Sequence, residues 1–249
     1  SNKGNLDLYI DKLKSIKSKI SDHPSHSFMA SSINLNELNL NSELKSDITN
    51  TSNQGLADVQ GKSYGWITGS QVSFCAEAFP SVDSRHEDAP ALTILGAVLR
   101  NGYLHSAIRE KGGAYGSGAS QDSHNKVFKF FSYRDPKCTE TFEEFENSRK
   151  WSLESITSEQ LDEGILGVIS SIDKPLSPYG EAISDFMNEI DNKSQEDRLL
   201  FRSRVKDCTL EDLAKVSKKY LFESSKKSVL AGESFKDEIS KLGFDIKNI

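Results

Sequence analysis

Arg109-Glu-Lys-Gly-Gly-Ala-Tyr-Gly-Ser-Gly118 is where residue types and spacing could do chemistry. A guanidinium (Arg109) and a phenol (Tyr115) can both donate hydrogen bonds to a carbonyl or a developing oxyanion. Gly112, Gly113, Gly116 and Gly118 strip side chains from the same stretch. Glycines weaken a strand edge unless something must approach it closely, and a peptide adding along that edge is such a partner. A purely structural reading stands beside this one: a helix C-cap at Gly112, a packed tyrosine and an exposed arginine. A phosphate cradle does not fit. Such loops follow a strand and open a helix, whereas here a helix precedes the glycines and a strand follows.

Other candidate chemistry is weaker. His86-Glu87-Asp88 is contiguous and cannot present ligands on one helical face, and His105 to Glu110 is a five-residue step that matches neither HExxH nor HxxEH. His23, His26 and His124 fall in polar segments. No zinc site is expected within the chain. There is no GxSxG nucleophile elbow. Cys75, Cys138 and Cys208 are odd in number and lack CxxC spacing, so they read as buried free thiols in a reducing compartment. The lysine-rich faces at Lys12–Lys19 and Lys215–Lys227 read as solvated helix surfaces.

These residues need elements to hold them. Leu6, Ile10, Leu13, Ile16 and Ile20 recur at helical spacing and predict a helix over 6–20. A short strand near 28–33, a weak helix near 42–48 and a loop over 49–61 follow. Residues 71–79 read as a strand with Val72, Phe74, Ala76 and Ala78 on one face. Asp88-Ala89-Pro90 opens a helix whose buried stripe is Leu92, Leu95, Leu99, Leu104 and Ile108, interrupted at Asn101-Gly102. Residues 112–119 and 127–133 read as antiparallel strands around a polar turn at 121–125. Helices are expected over 139–156, after the capping box Thr157-Ser-Glu-Gln160, near 181–190 and, capped by Thr209, over 210–222. Residues 227–231 return to a strand. The fold class is α+β, a mostly antiparallel sheet packed against helices. A boundary near residue 60 separates a helical segment and linker (1–60) from an α+β domain (61–249).

Composition narrows the classes further. The 249 residues carry a net charge of −6, which argues against a nucleic-acid partner. No run approaches the roughly 18–20 apolar residues of a membrane-spanning helix. The opening Ser1-Asn2-Lys3-Gly4 has neither methionine nor a signal-peptide h-region. It is expected to be a processed or engineered start, with more chain upstream.

Four stretches carry a resemblance: Asp88-Ala-Pro-Ala-Leu92, Leu99-Arg-Asn-Gly-Tyr-Leu-His105, Ile108-Arg-Glu-Lys-Gly-Gly-Ala-Tyr-Gly116 and Phe130-Phe-Ser-Tyr-Arg-Asp-Pro136. In order and wording they resemble the C-terminal domain of the presequence protease and falcilysin branch of the pitrilysin/insulinase-type zinc metallopeptidases. The resemblance runs from about 71 to 136 and continues weakly to Val229-Leu-Ala-Gly-Glu233. It implies a clamshell of two halves that encloses unstructured peptides. Zinc would be held by an HxxEH motif and a distal glutamate of the N-terminal half, with no ligand and no bound zinc in this chain. It also implies that Arg109 and Tyr115 reach the active site from the C-terminal half as catalytic and substrate-binding residues, with Gly112 and Gly113 shaping the substrate-binding turn. Expected partners are the peptide and the N-terminal half of the same enzyme. This chain alone is expected to be inactive. A non-catalytic relative serving as a scaffold or partner subunit is the alternative, followed by a stand-alone peptide-binding module. By analogy the compartment is a mitochondrion, plastid, parasite vacuole or bacterial cell.

Overall fold

The computed structural model describes residues 6–21 and 62–248. The chain divides into two compact units, Ser1–Ser52 with Leu176–Asn192, and Asn53–Pro175 with Lys193–Ile249. The first contains helices α1 (Leu6–Ser21) and α5 (Pro178–Ile190). Helix α1 forms where the periodic isoleucines and leucines predict it. The strand near 28–33, the helix near 42–48 and the loop over 49–61 lie outside the described residues.

The second unit is built on a six-stranded sheet with the order β3-β4-β2-β5-β1-β6. Its strands are β1 (Tyr64–Thr68), β2 (Phe74–Pro80), β3 (Gly116–Asp122), β4 (Val127–Tyr133), β5 (Lys226–Gly232) and β6 (Asp245–Asn248). Pairs β3–β4, β4–β2 and β2–β5 are antiparallel, while β5–β1 and β1–β6 are parallel. The α+β class with a mostly antiparallel sheet therefore holds. Helices α2 (Ala89–Leu99), α3 (Thr139–Glu154), α4 (Ser158–Ile172), α6 (Gln195–Lys206), α7 (Leu210–Tyr220) and α8 (Lys236–Lys241) complete the unit. Thr157 and Thr209 form the expected reciprocal caps on α4 and α7.

The stripe Leu92, Leu95, Leu99, Leu104 and Ile108 is buried as expected, but Asn101-Gly102 does not interrupt it. Helix α2 runs without a break into a π-helical segment, Arg100–Lys111. Gly102 serves close packing rather than a stop, since a Cβ there would lie 3.0 Å from the Trp151 and Gln160 side chains. In β2 the buried face is Cys75, Glu77 and Phe79, opposite to the apolar-looking Val72, Phe74, Ala76 and Ala78. Glu77 can sit inside because Ser225 Oγ donates to it at 2.6 Å and the Arg149 guanidinium is 3.8 Å away. All three cysteines are buried and free, with Cys75 and Cys138 Sγ atoms 4.0 Å apart.

One face of the sheet carries the core and the other is open near β3 and β4. Phe128, Phe130 and Ser132 of β4 are buried, whereas Phe131 and Tyr133 on the opposite face are 39 % and 43 % exposed. Strand β3 ends the sheet at one edge, beside the π-helical segment.

Candidate functional site

Arg109 lies in the last turn of the π-helical segment, with an exposed side chain. Its Nη1 donates to His105 Nε2 at 3.3 Å, and His105 Nδ1 lies 3.5 Å from Glu110 Oε1. Since arginine can only donate, Nε2 of the imidazole accepts and Nδ1 is left to face the carboxylate. The five-residue step that spoils an α-helical motif is what a π turn, with its i→i+5 bonds, brings together. The His105–Glu110 contact is thus one that α-helical spacing hides, whereas His105 and Arg109 stand at the ordinary four-residue step. The signal in the sequence was the distance of five between His105 and Glu110 in a segment already rich in charged residues.

The segment ends at a turn that only glycine makes easily. Gly113 has φ +87°, and its N–H donates to the Arg109 carbonyl at 3.0 Å, the bond of a left-handed helix stop. Ala114 N–H reaches one residue further back, to the Ile108 carbonyl at 3.1 Å. At Gly112 a Cβ would run into the Ile108 carbonyl oxygen. Both glycines therefore act on shape. The strand expected from residue 112 begins only at Gly116, because residues 112–115 are spent on this turn.

Tyr115 emerges from the turn 68 % exposed. Its N–H donates to the Arg134 carbonyl at 3.3 Å. Its ring meets Tyr133 edge-on at 5.8 Å, and Tyr133 in turn meets Phe74 at 5.3 Å. The Arg134 guanidinium lies 6.0 Å from the Tyr115 ring centre and 5.6 Å from that of Tyr133. Ser117 Oγ donates to the Leu104 carbonyl at 3.1 Å and ties the start of β3 to the π-helical segment. Arg109 and Tyr115 thus flank one short turn, each with its own polar or aromatic neighbours.

The glycines beyond the turn differ. A Cβ on Gly118 would be 2.9 Å from the Phe131 ring, so that space is already filled by β4. Gly116 has open space around it. The face above Gly118 is thus occupied, while that above Gly116, at the beginning of β3, is open. Across the π-helical segment, a pocket of about 390 Å³ is lined by Tyr103, Ser106, Lys111, Lys137, Glu140 and Glu144. Tyr103 donates to Glu144 Oε2 at 2.8 Å, and burial together with that carboxylate pushes its phenol up to about 12.

The described residues do not fit a zinc site. Among the described residues no three His, Cys, Asp or Glu side chains gather as metal ligands, and the His105–Glu110 pair faces an arginine. Nor is any helix among them long and apolar enough to cross a membrane.

Three comparisons place this architecture. Residues 67–231 match the family model described as the PreP C-terminal domain. A mitochondrial presequence protease of Saccharomyces cerevisiae is 32 % identical over 181 residues, 72 % of this chain and 18 % of the yeast protein. This chain therefore spans under a fifth of the length of that relative. Among solved structures, a protease from Helicobacter pylori superposes with a TM-score of 0.60 at 19 % identity, covering 68 % of this chain and 43 % of the other. Pitrilysin superposes at 0.53 and 14 % identity, covering 75 % and 22 %. The structural likenesses establish the fold, and the family match, covering most of the α+β unit with Arg109, Tyr115 and the glycine turn inside it, establishes more. The chain belongs to the PreP C-terminal domain family.

Proposed function

We propose that this chain is the substrate-contacting C-terminal domain of a peptidase that degrades short, unstructured peptides. In this reading residues 61–249 form the peptidase-like domain and the first 60 lead in from upstream. Zinc belongs to residues outside this chain, in the N-terminal half of the enzyme, and none of the roles given to this chain runs through it. The observation that carries the proposal is the pairing of a guanidinium and an exposed phenol across the glycine turn.

Hydrolysis of a peptide bond builds negative charge on the scissile carbonyl oxygen, and a preorganised donor aimed at that oxygen lowers the barrier. Tyr115 Oη supplies such a donor. Arg109, its guanidinium steadied by His105, binds a neighbouring carbonyl or a carboxylate of the peptide. Gly116 leaves room for the substrate backbone at the head of the edge strand, and the exposed Phe131 and Tyr133 offer apolar surface beside it. Alone the chain presents one wall of a chamber and is inactive. Of the compartments implied by the resemblance, the mitochondrion is favoured, the yeast relative being named mitochondrial.

Steady-state kinetics of the full-length protein on an unstructured peptide test this reading. Tyr115→Phe is expected to lower kcat by about 10²–10³, the loss typical of one oxyanion donor. Arg109→Ala is expected to act mainly on KM. A change in KM alone for Tyr115→Phe would remove the transition-state role and leave a binding one. No cleavage by a folded full-length protein would favour the scaffold instead.

A further inference from the structure

Beyond the apolar surface of Phe131 and Tyr133, the stretch Phe130–Pro136 contains an unusual backbone. Arg134 has φ +49°, a left-handed conformation that glycine and asparagine adopt far more readily than arginine. The fold imposes it through the next residue. Asp135 is fully buried, and it exchanges backbone hydrogen bonds with Ser73 at 2.7 and 2.9 Å. Its carboxylate accepts from Lys137 N–H at 2.9 Å and from Thr141 Oγ1 at 2.7 Å. With Asp135 clamped inward, the chain must turn at Arg134. That turn aims the Arg134 carbonyl at Tyr115 N–H and brings its guanidinium back over the Tyr115 and Tyr133 rings.

From this geometry we infer that Arg134 is a positioning residue for Tyr115. A glycine would satisfy the backbone without strain, so the side chain must account for an arginine here. Tyr115 needs such a neighbour. It is largely exposed, and an exposed phenol samples several rotamers unless its ring is packed. A donor that stabilises a transition state has to be held in place before the reaction. Arg134 and Tyr133 bracket the ring, the first through its face and the second through its edge. The inference rests on Tyr115 acting as the oxyanion donor, and the test separates the two.

The full-length protein is assayed on an unstructured peptide as wild type, Arg134→Gly, Arg134→Lys, Tyr115→Phe and the Arg134→Gly/Tyr115→Phe double variant. Arg134→Gly is expected to lower kcat about 10-fold with little change in KM, and Arg134→Lys to recover part of the loss. The double variant should be no slower than Tyr115→Phe, because Arg134 acts through the phenol. The thermal midpoint of Arg134→Gly should not fall, since glycine accepts φ +49° freely. Independently of turnover, fluorine NMR of fluorotyrosine at position 115 should shift toward a rotamer-averaged signal in Arg134→Gly. An unchanged fluorine signal overturns the inference, as does unchanged kcat in Arg134→Gly beside a crippled Tyr115→Phe. A loss that persists in full in the double variant also overturns it. A silent Tyr115→Phe overturns the donor reading and the inference together.

Discussion

Arg109 is held through His105, and the hold depends on a helical turn wide enough to place residue 110 beside residue 105 as well. Neutral imidazole can accept from the guanidinium with one nitrogen and face Glu110 with the other, so the three side chains form a chain ending at the exposed Arg109 guanidinium. All three are exposed, which limits each contact to about 1 kcal/mol. His105→Ala in the full-length protein is therefore expected to raise the peptide KM about 5-fold while leaving kcat nearly unchanged. KM at the wild-type value, beside a large defect in Arg109→Ala, would show that the guanidinium needs no such support. At this scale the sequence was informative where chemistry is carried by residue type. Arg109 and Tyr115 stand out from spacing and from the words around them. The His105–Glu110 pair does not, because a search for functional pairs assumes the α-helical period, and here the period changes.

The elements show why the same sequence is legible in some places and not in others. Helices α4 and α7 announce themselves through Thr157 and Thr209, whose side chains close reciprocal capping boxes with Gln160 and Asp212. The β3–β4 hairpin is visible from its alternation and polar turn. Helix α6 was not foreseen, since Val205 is its one fully buried residue and no apolar stripe reveals it. Strands β1 and β6 are short, and β6 buries little. The inward face of β2 was hidden because Glu77 points into the core on the strength of partners that lie far away in sequence. The turn between the π-helical segment and β3 is the element on which the site depends most. Gly113→Ala places a Cβ at φ +87° and is expected to cost about 1–2 kcal/mol in chemical denaturation of this chain. It should also reduce peptide turnover in the full-length protein by displacing Tyr115. Unchanged stability would mean that the turn relaxes to another conformation.

Across the whole α+β unit, two aspartates set how it responds to acid, one tying distant helices together and one closing a hairpin turn. Asp88, just before α2, accepts from Lys219 Nζ at 2.6 Å and Tyr220 Oη at 2.7 Å at the end of α7. Burial pushes its carboxyl up, but those two donors outweigh burial and hold it below the ordinary value. At the hairpin turn, burial of Asp122 is outweighed by Asn125 and Lys129, and its carboxyl is held down at about 2. Both groups titrate lower in the folded chain than in the unfolded one, where aspartate titrates near ~3.9. Their contribution is complete above that value and is lost as the pH falls through the folded values. The unfolding free energy should therefore decline from about pH 4 toward pH 2. Asp88→Asn and Asp122→Asn should be less stable at neutral pH and show a shallower decline. A double variant as steep as wild type would place the acid sensitivity elsewhere.

The parallel pairing of β1 with β5 and β6 has a consequence for how this unit comes into being. Strand β1 is among the first parts of the unit to be synthesised, yet both of its partners, β5 and β6, lie far downstream, from Lys226 onward. While the chain is still growing, β3 and β4 can pair across their short turn and β2 can join β4 once α2 and the π-helical segment have been made. Strand β1 must wait with both edges bare until β5 and β6 have been added. The last strands of the unit thus complete its first, and a unit without β5 and β6 would leave β1 with neither partner.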